Sequence, residues 1–289
     1  MYLLQKSKTN TLLVLSFTVA ALIIFGQGSL SSSNAHAAAL PASITTVPDN
    51  ASIFQIGEEL DYDVKFFSFR LGRIVITMDS VRRENGRNVW IAHIRMDSQE
   101  GLPFVSLHGV SEAHIDESGY TRYFLGSEKG SDGNWDYVKY LPDYPDQKIT
   151  IENGKGGQIS KQFDINTPYK YNDGLSLIYY ARRNAAYKKY VSVPTLVQSD
   201  SGHTFINFLG ERESQDIDAV NYPIDCVHFT GNASWTGAYG LTGRFEGWFS
   251  NDNARVPIRA RVNLYVGSVS LELVRWNHAG WSPPVCSEK

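Results

Sequence analysis

Cysteine is scarce in this sequence, with two residues, Cys226 and Cys286, among 289. Neither follows the apolar segment near the N-terminus, where bacterial lipoproteins carry the cysteine that is acylated, so the sequence excludes that kind of lipid anchor. In an oxidising compartment the two thiols can form a disulfide that encloses a loop of about 60 residues. We therefore expect a Cys226–Cys286 disulfide that holds the tail 282–289, and two free thiols are the alternative.

The sequence also lacks an apolar run long enough to span a bilayer. Residues 11–25 form a run of 15, whereas a transmembrane helix needs about 20. This run follows Lys6 and Lys8 and precedes Ala35-His36-Ala37, in the order of the basic, apolar and small-residue parts of a secretory signal peptide. We predict a signal peptide over 1–37, cleaved after its last alanine, and a periplasmic or secreted protein without a stable membrane span. An uncleaved anchor is the less favoured alternative.

An excess of basic charge is missing as well. Without residues 1–37 the chain keeps 25 basic and 30 acidic residues, a net charge of about −5. Such a protein does not attract nucleic acid or anionic lipid through its overall field, so we expect no nucleic-acid partner. The remaining length fits one large β domain or two small ones. We favour a single domain over 56–277, after a linker at 38–55 and before a C-terminal tail at 278–289.

Apolar and polar residues alternate along most of the chain. Leu60, Tyr62 and Val64 alternate with charged side chains, which is the period of a strand with one buried face. The same interpretation places Val89, Ile91 and His93 on one core face of a later strand. About a dozen short segments of this kind are separated by clusters of Gly, Asn, Asp and Pro. This spacing predicts antiparallel hairpins.

One segment has helical periodicity instead. Asp173 is placed to cap a helix, and Leu175, Ile178, Tyr179 and Arg182 then recur at helical spacing. A sheet of many strands curls or splits, and a single helix can fill its open side. We therefore expect a mainly β fold, with a large antiparallel sheet rolled into an incomplete barrel around one helix; a two-sheet β-sandwich is the alternative. The apolar helix face should form the floor or gate of any cavity.

Several short motifs are the most distinctive part of the sequence. They are Phe69-Arg70-Leu71-Gly72 before an alternating strand, the helix segment 173–182, Trp248-Phe249-Ser250-Asn251-Asp252 with Arg255-Val256-Pro257, and Gly267-Ser268-Val269. The polar run after Phe249 predicts a hairpin turn braced by Asp252. In this order and spacing the motifs resemble a bacterial envelope family catalogued as domain of unknown function 3108, over about 57–274. The resemblance implies an exported, mainly β protein and brings no established activity.

The residues that could serve catalysis or metal binding do not have the spacing that the known motifs require. No serine lies in a Gly-x-Ser-x-Gly elbow, and Cys226 and His228 would lie about 7 Å apart on a strand, too far for direct activation. The histidines show no His-x-x-x-His spacing, and the acidic turn 132–136 lacks the later glutamate of a calcium loop. Paired carboxylates such as Asp61 and Asp63 match a solvated strand face. We expect no enzyme, no catalytic residue, no metal and no cofactor.

Three residues are the candidate ligand contacts. Trp235 and Tyr239 lie in the Gly-rich segment 231–243, where an exposed hairpin tip would let their rings stack on sugar or enter a membrane interface. Burial of the folded-back tip is the alternative. Arg182 lies on the apolar helix face and needs a partner, which is either an Asp side chain or backbone carbonyl of the protein, or a ligand.

These features favour a non-enzymatic envelope protein that holds an apolar or amphipathic molecule, or an envelope polymer, in the concavity of its sheet. An interaction module that docks on another envelope protein is the second hypothesis, and a hydrolase of envelope carbohydrate is the third. The candidate partners are therefore lipid, glycan or protein. An apolar cavity would favour the first hypothesis, an exposed apolar patch on a filled core the second, and clustered carboxylates or histidines in a cleft the third.

Overall fold

The computed structural model describes residues 53–102, 106–235, 243–263 and 268–287. The predicted signal peptide and its cleavage site lie outside these residues, as does the linker up to position 52. The elements in chain order are β1 (Glu58–Phe66), β2 (Phe69–Glu84), β3 (Arg87–Ser98), β4 (His108–Asp116), β5 (Thr121–Lys129), β6 (Trp135–Asp143), β7 (Lys148–Lys155), β8 (Gln158–Asn166), α1 (Gly174–Asn184), β9 (Lys189–Val197), β10 (Asp200–Gln215), β11 (Ile224–Ala233), β12 (Gly243–Ser250), β13 (Pro257–Asn263) and β14 (Ser268–Asn277).

The strands form one antiparallel sheet. Its order is β8-β7-β6-β5-β4-β3-β2-β1-β14-β13-β12-β11-β10-β9, so strands that follow one another in sequence pair, except β8 and β9, and the first strand also pairs with the last. The edges β8 and β9 do not pair, and the sheet is not closed. The predicted mainly β fold with an open, rolled antiparallel sheet and one helix is confirmed.

The β9 edge turns back against the other half of the sheet. The Tyr140 hydroxyl of β6 donates a hydrogen bond to the Gln198 carbonyl at 2.8 Å, and the Asn153 amide of β7 donates to the Ser199 hydroxyl at 2.8 Å. Leu196 packs in one cluster with Tyr140 and two isoleucines of β7. These contacts hold the β9 edge against β6 and β7, although no backbone hydrogen-bond ladder joins the two edge strands β8 and β9.

Alternation locates the core in some strands and misplaces it in one. Leu60, Tyr62 and Val64 of β1 are buried, as predicted. In β3, Val89 is buried as predicted, but the buried residues that alternate are Trp90, Ala92 and Ile94, and His93 lies beside carboxylates on the other face. The predicted face of β3 is wrong because apolar residues occupy nearly every position there, so the sequence does not fix the phase of the strand.

Helix α1 begins at the predicted cap. The Asp173 carboxylate accepts hydrogen bonds from the backbone N–H groups of Leu175 and Ser176 at 2.7 and 2.9 Å, and the Ser176 hydroxyl accepts one from the Asp173 backbone N–H. Leu175 and Tyr179 are buried in the main core, and Ile178 packs partly buried against it. The apolar helix face therefore lies on the sheet, as the periodicity indicated.

The polar turn between β12 and β13 is braced as predicted. The Asp252 carboxylate accepts hydrogen bonds from the backbone N–H groups of Ala254 and Arg255 at 3.0 and 3.1 Å, and from the Ser250 hydroxyl at 2.8 Å. Arg255 has a φ of 47°, in the left-handed region. The carboxylate supplies the local hydrogen bonds that hold this strained backbone.

The C-terminal tail is held without a disulfide, because Cys226 and Cys286 are both free thiols. Ile224 and Val285 form an antiparallel bridge, and the Cys286 N–H donates to the Pro223 carbonyl at 2.8 Å. Cys226 and Cys286 lie on either side of this bridge, and their sulfur atoms are not bonded to each other. Backbone hydrogen bonds therefore perform the role expected of the disulfide.

Candidate functional site

Trp235 is buried and does not form an exposed aromatic tip. Its side chain is 3 % exposed, and its indole Nε1 donates a hydrogen bond to the Thr204 hydroxyl at 2.9 Å. It packs in a cluster with Phe208, Phe245 and Phe249. The alternative, in which the ring folds back, is therefore right for Trp235, since burial removes a large apolar area from water and the one polar group finds a partner. Tyr239 lies outside the described residues.

Arg182 has its hydrogen-bond partners within the protein. Its guanidinium donates to both carboxylate oxygens of Glu58 at 2.7 and 2.8 Å, and to the Ala254 carbonyl at 2.9 Å. Both charged side chains are fully buried. Arg182 therefore has protein partners, as the carbonyl interpretation predicted, although the acidic partner is a glutamate. Glu58 lies 124 positions earlier in the chain, so no local pattern could identify it.

The buried pair extends to the tail. His278 Nδ1 lies 2.8 Å from a Glu58 oxygen, and the Tyr179 hydroxyl beside the pair has no hydrogen-bond partner in the described part of the chain. Burial alone would raise the pKa of Glu58, but the charge of Arg182 and the hydrogen bond from His278 hold it below its usual value. This network joins β1, α1 and the tail.

An apolar cavity of about 130 Å³ separates part of α1 from the sheet. The helix contributes Leu177, Ile178 and Ala181 to its wall. Apolar strand residues face them, among them Tyr62 of β1, Ile206 of β10, Phe229 of β11, Phe245 and Phe249 of β12, and Leu271 of β14. The Tyr62 hydroxyl donates to the Pro257 carbonyl at 2.9 Å, so this polar group in the wall is already satisfied. The wall is therefore mainly apolar and suits hydrocarbon, with Arg259 as its one charged residue among the described side chains.

A larger and more polar space lies beside the N-terminal end of α1. It has a volume of about 450 Å³ and is bordered by strands β3 to β7, the end of β9 and the first helix residues. Phe124, Tyr140 and Leu196 contribute apolar surface, whereas Asn153 and Ser199 contribute polar groups. Gly174 borders both this space and the apolar cavity. The two spaces together could accommodate the apolar and the polar parts of one amphipathic molecule.

The sequence profile of a family described as protein of unknown function, DUF3108, matches residues 61–274. The chain belongs to the DUF3108 family. The match covers β1 through β14, so the helix and the strands that enclose both spaces fall within the DUF3108 domain. No match is found among curated proteins.

Solved structures support the fold of the DUF3108 domain. A β-barrel-like protein of domain of unknown function DUF1849 from Brucella abortus matches with a TM-score of 0.53 at 12 % identity, covering 77 % of this chain and 98 % of that one. A protein with a YmcC-like fold from Bacteroides fragilis matches at a TM-score of 0.34 and 12 % identity, covering 77 % and 96 %. At these identities, only the first match carries an argument, and it concerns the fold.

A charged cluster lies on the opposite face of the DUF3108 sheet from the buried residues of β3. His93 is 2.7 Å from Asp79 and 3.2 Å from Glu112, and His114 is 2.6 Å from Glu112. Burial lowers the pKa of His114, whereas the effect of burial on the pKa of Glu112 is outweighed by hydrogen bonds from both histidines, which lower it. The described residues contain no group of three or more His, Cys, Asp or Glu side chains that could hold a metal ion. These ion pairs connect neighbouring strands.

The tip of the β1–β2 hairpin exposes two aromatic rings. Phe67 and Phe69 are 66 % and 73 % exposed, and Phe67 has a φ of 52°. Rings this exposed at a tight turn gain little from packing, so they are available to a membrane surface or a partner. Within the described ranges, no helix has the length and apolarity to cross a membrane.

Proposed function

We propose that this DUF3108 protein is a non-enzymatic carrier of the cell envelope that holds an apolar molecule, or the apolar part of an amphipathic one, between α1 and the rolled sheet. The cavity of about 130 Å³ with apolar walls is the observation that carries this proposal. An engineered apolar cavity of about 150 Å³ stays dry and takes up benzene. A space of this size accepts a small apolar group or the end of an acyl chain.

The location is part of the proposal. The basic, apolar and small-residue order of residues 1–37 supports export through a signal peptide. A carrier in the periplasm needs a mainly apolar site, and the cavity under α1 offers one. The described residues of the cavity wall include one charged side chain, Arg259, which is paired with Glu272 at 3.9 Å, and no serine, cysteine, histidine or carboxylate, which supports a binding role and not a catalytic one.

The cavity can be tested by filling and enlarging it. Ala181→Leu should fill the space and abolish the binding of benzene, used as a small apolar probe, whereas Ile178→Ala should enlarge the space and preserve probe binding. Titration of the purified mature protein with the probe gives the comparison. Native mass spectrometry of periplasmic protein should show a co-purified lipid in the wild type that Ala181→Leu lacks.

Stability measurements separate a cavity wall from plain core. Ile115 is fully buried and borders none of the described spaces, so Ile115→Ala should cost about 2–5 kcal/mol of unfolding free energy. Ile178→Ala should cost less, because a side chain that borders a void loses fewer contacts. An equal cost for both variants, together with no probe binding by the wild type, would contradict the carrier proposal.

A docking role is a second candidate, and the exposure of Phe67 and Phe69 favours it. Sedimentation with vesicles of phosphatidylethanolamine and phosphatidylglycerol tests this role directly. Membrane docking predicts that Phe67→Ser with Phe69→Ser releases the protein into the supernatant. If the wild type stays in the supernatant, membrane docking through this tip is rejected.

A further inference from the structure

Two rows of side chains cross the outer part of the sheet next to its β9 edge. In one row Tyr190, Asn207, Thr230 and Glu246 are successive Cα partners across β9, β10, β11 and β12. In the other row Phe205, Asn232 and Arg244 are partners across β10, β11 and β12. Partners of this kind lie on one face of a sheet with Cβ atoms about 5 Å apart. The rows border a groove of about 440 Å³, within the range of small-ligand sites.

Aromatic rings form one side of this groove. The Tyr190 and Phe205 rings are 6.2 Å apart and nearly parallel, with an interplanar angle of 12°. His203 continues the stack at 6.1 Å from Phe205. Tyr190 is 66 % exposed although it belongs to a strand, so its ring presents a broad apolar face to solvent. Phe205 is half-buried beside it.

Polar side chains without partners form the other side. Within the described chain, Asn207, Asn232 and Arg244 make no side-chain hydrogen bond or ion pair. The neighbouring Glu246, in contrast, has partners, because it is paired with Arg261 at 2.8 Å and lies 3.3 Å from His228. Two amides and one guanidinium therefore keep their full hydrogen-bonding capacity beside the aromatic platform.

We propose that this outer groove binds an oligosaccharide. A pyranose ring has an apolar C–H face that packs on an aromatic ring, and its hydroxyls accept and donate hydrogen bonds together. Asn207 and Asn232 can do both through their amides, and Arg244 supplies a planar fork of donors. A protein strand added to the β9 edge would use the backbone of that edge and leave these three side chains unused. The groove lies outside the cavity under α1, so it is a second site.

The proposal can be tested by calorimetric titration of the mature protein with cellohexaose, chitohexaose and hexagalacturonic acid. At least one of these should bind to the wild type. Tyr190→Ala should weaken that binding about tenfold or more, because the stacking platform is lost. Asn232→Ala should weaken it by a similar factor. Both residues are on the surface, so the unfolding midpoint should stay unchanged.

Tyr169→Ala provides the matched control, since Tyr169 is 64 % exposed and does not border the groove. This variant should bind the same oligosaccharide as tightly as the wild type does. Absence of binding to all three probes overturns the proposal, and so does binding that Tyr190→Ala and Asn232→Ala leave unchanged. Tyr190→Ala should still bind benzene in the cavity, which separates failure of this site from failure of the cavity.

Discussion

At the residue scale, the most consequential interaction is the buried pair of Glu58 and Arg182. Removing two charges from water is costly, and the bidentate contact with extra bonds from His278 and to Ala254 offsets that cost. The pair joins the first residue of β1 to helix α1. Its energetic importance therefore lies in what happens when one partner is lost.

We expect Arg182→Met to destabilise the protein by about 3–5 kcal/mol, because it leaves the Glu58 carboxylate buried without its counter-charge. The double variant Glu58→Gln with Arg182→Met should recover part of this loss. Urea unfolding of the single and double variants gives both numbers. A single-variant loss under about 1 kcal/mol would show that Glu58 does not depend on Arg182.

The same carboxylate should contribute to acid sensitivity. The pKa of Glu58 is lower in the folded protein than its ordinary value of 4.5, so its ionisation stabilises the fold above that value. This contribution is lost as the pH falls through the folded-state pKa. The stability of the wild type should therefore fall more steeply below pH 4.5 than that of Glu58→Gln. Parallel slopes in unfolding measured across this range would contradict the assignment.

The two thiols should differ in reactivity. Burial raises the pKa of the Cys226 thiol, whereas Cys286 lies in the partly exposed tail. Titration of the folded protein with 5,5′-dithiobis(2-nitrobenzoic acid) should modify Cys286 alone, and unfolding should release a second reactive thiol. Absence of reactive thiol even after unfolding in the absence of reductant would restore the disulfide.

At the element scale, the cap of α1 combines two opposing effects. The Asp173 side chain satisfies two N–H groups at the helix start and accepts a 2.6 Å hydrogen bond from the Thr121 hydroxyl. Full burial nevertheless dominates and raises the pKa of Asp173 above its usual value of 3.8. The residue is therefore a good cap whose charge is poorly solvated.

Asparagine should be the better residue at this cap in neutral solution. Asp173→Ala loses the capping bonds and should cost about 0.5–2 kcal/mol, whereas Asp173→Asn retains a capping oxygen and removes the buried charge. Because the folded-state pKa is raised, the penalty of ionisation is absent below the unfolded value and grows as the pH rises through the folded one. The stability of the Asp173→Asn variant relative to wild type, measured by urea unfolding, should increase from about pH 3 to about pH 8. A constant difference would contradict the raised pKa.

At the scale of the whole molecule, the open sheet of fourteen strands has two edge strands, β8 and β9, that do not pair with each other. The DUF3108 chain places α1 between the edge strands in sequence and ties the β9 end to β6 and β7 through side chains. Because the edges are joined by a helix and not by a ladder, two spaces remain beside α1, one mainly apolar and one more polar. The proposed carrier role depends on this incomplete closure.

Export of the protein is the last prediction at this scale. N-terminal sequencing of protein isolated from the periplasm should begin at Ala38 or within a few residues of it, because a signal peptidase cleaves after small residues at this spacing. The intact mass should decrease accordingly. Retention of Met1 on a membrane-bound protein would contradict both the cleavage and the periplasmic location.

The sequence by itself determined those features that depend on near neighbours. The alternation of β1, the cap at Asp173 and the turn braced by Asp252 each follow from backbone geometry and from hydrogen bonds within a few residues. The helical face of Leu175 and Tyr179 could be predicted for the same reason. Together with the motif order, these patterns were sufficient for the fold class and the family.

Only the tertiary structure decided the features that depend on distant partners. Glu58 meets Arg182 across 124 positions, Trp235 finds its partner in Thr204, and the tail pairs with the start of β11 through Val285 and Ile224. The phase of β3 also required the structure, because apolar residues on both of its faces made either choice compatible with the sequence. A local pattern records which residues can be buried, whereas the packing of the whole sheet determines which of them are.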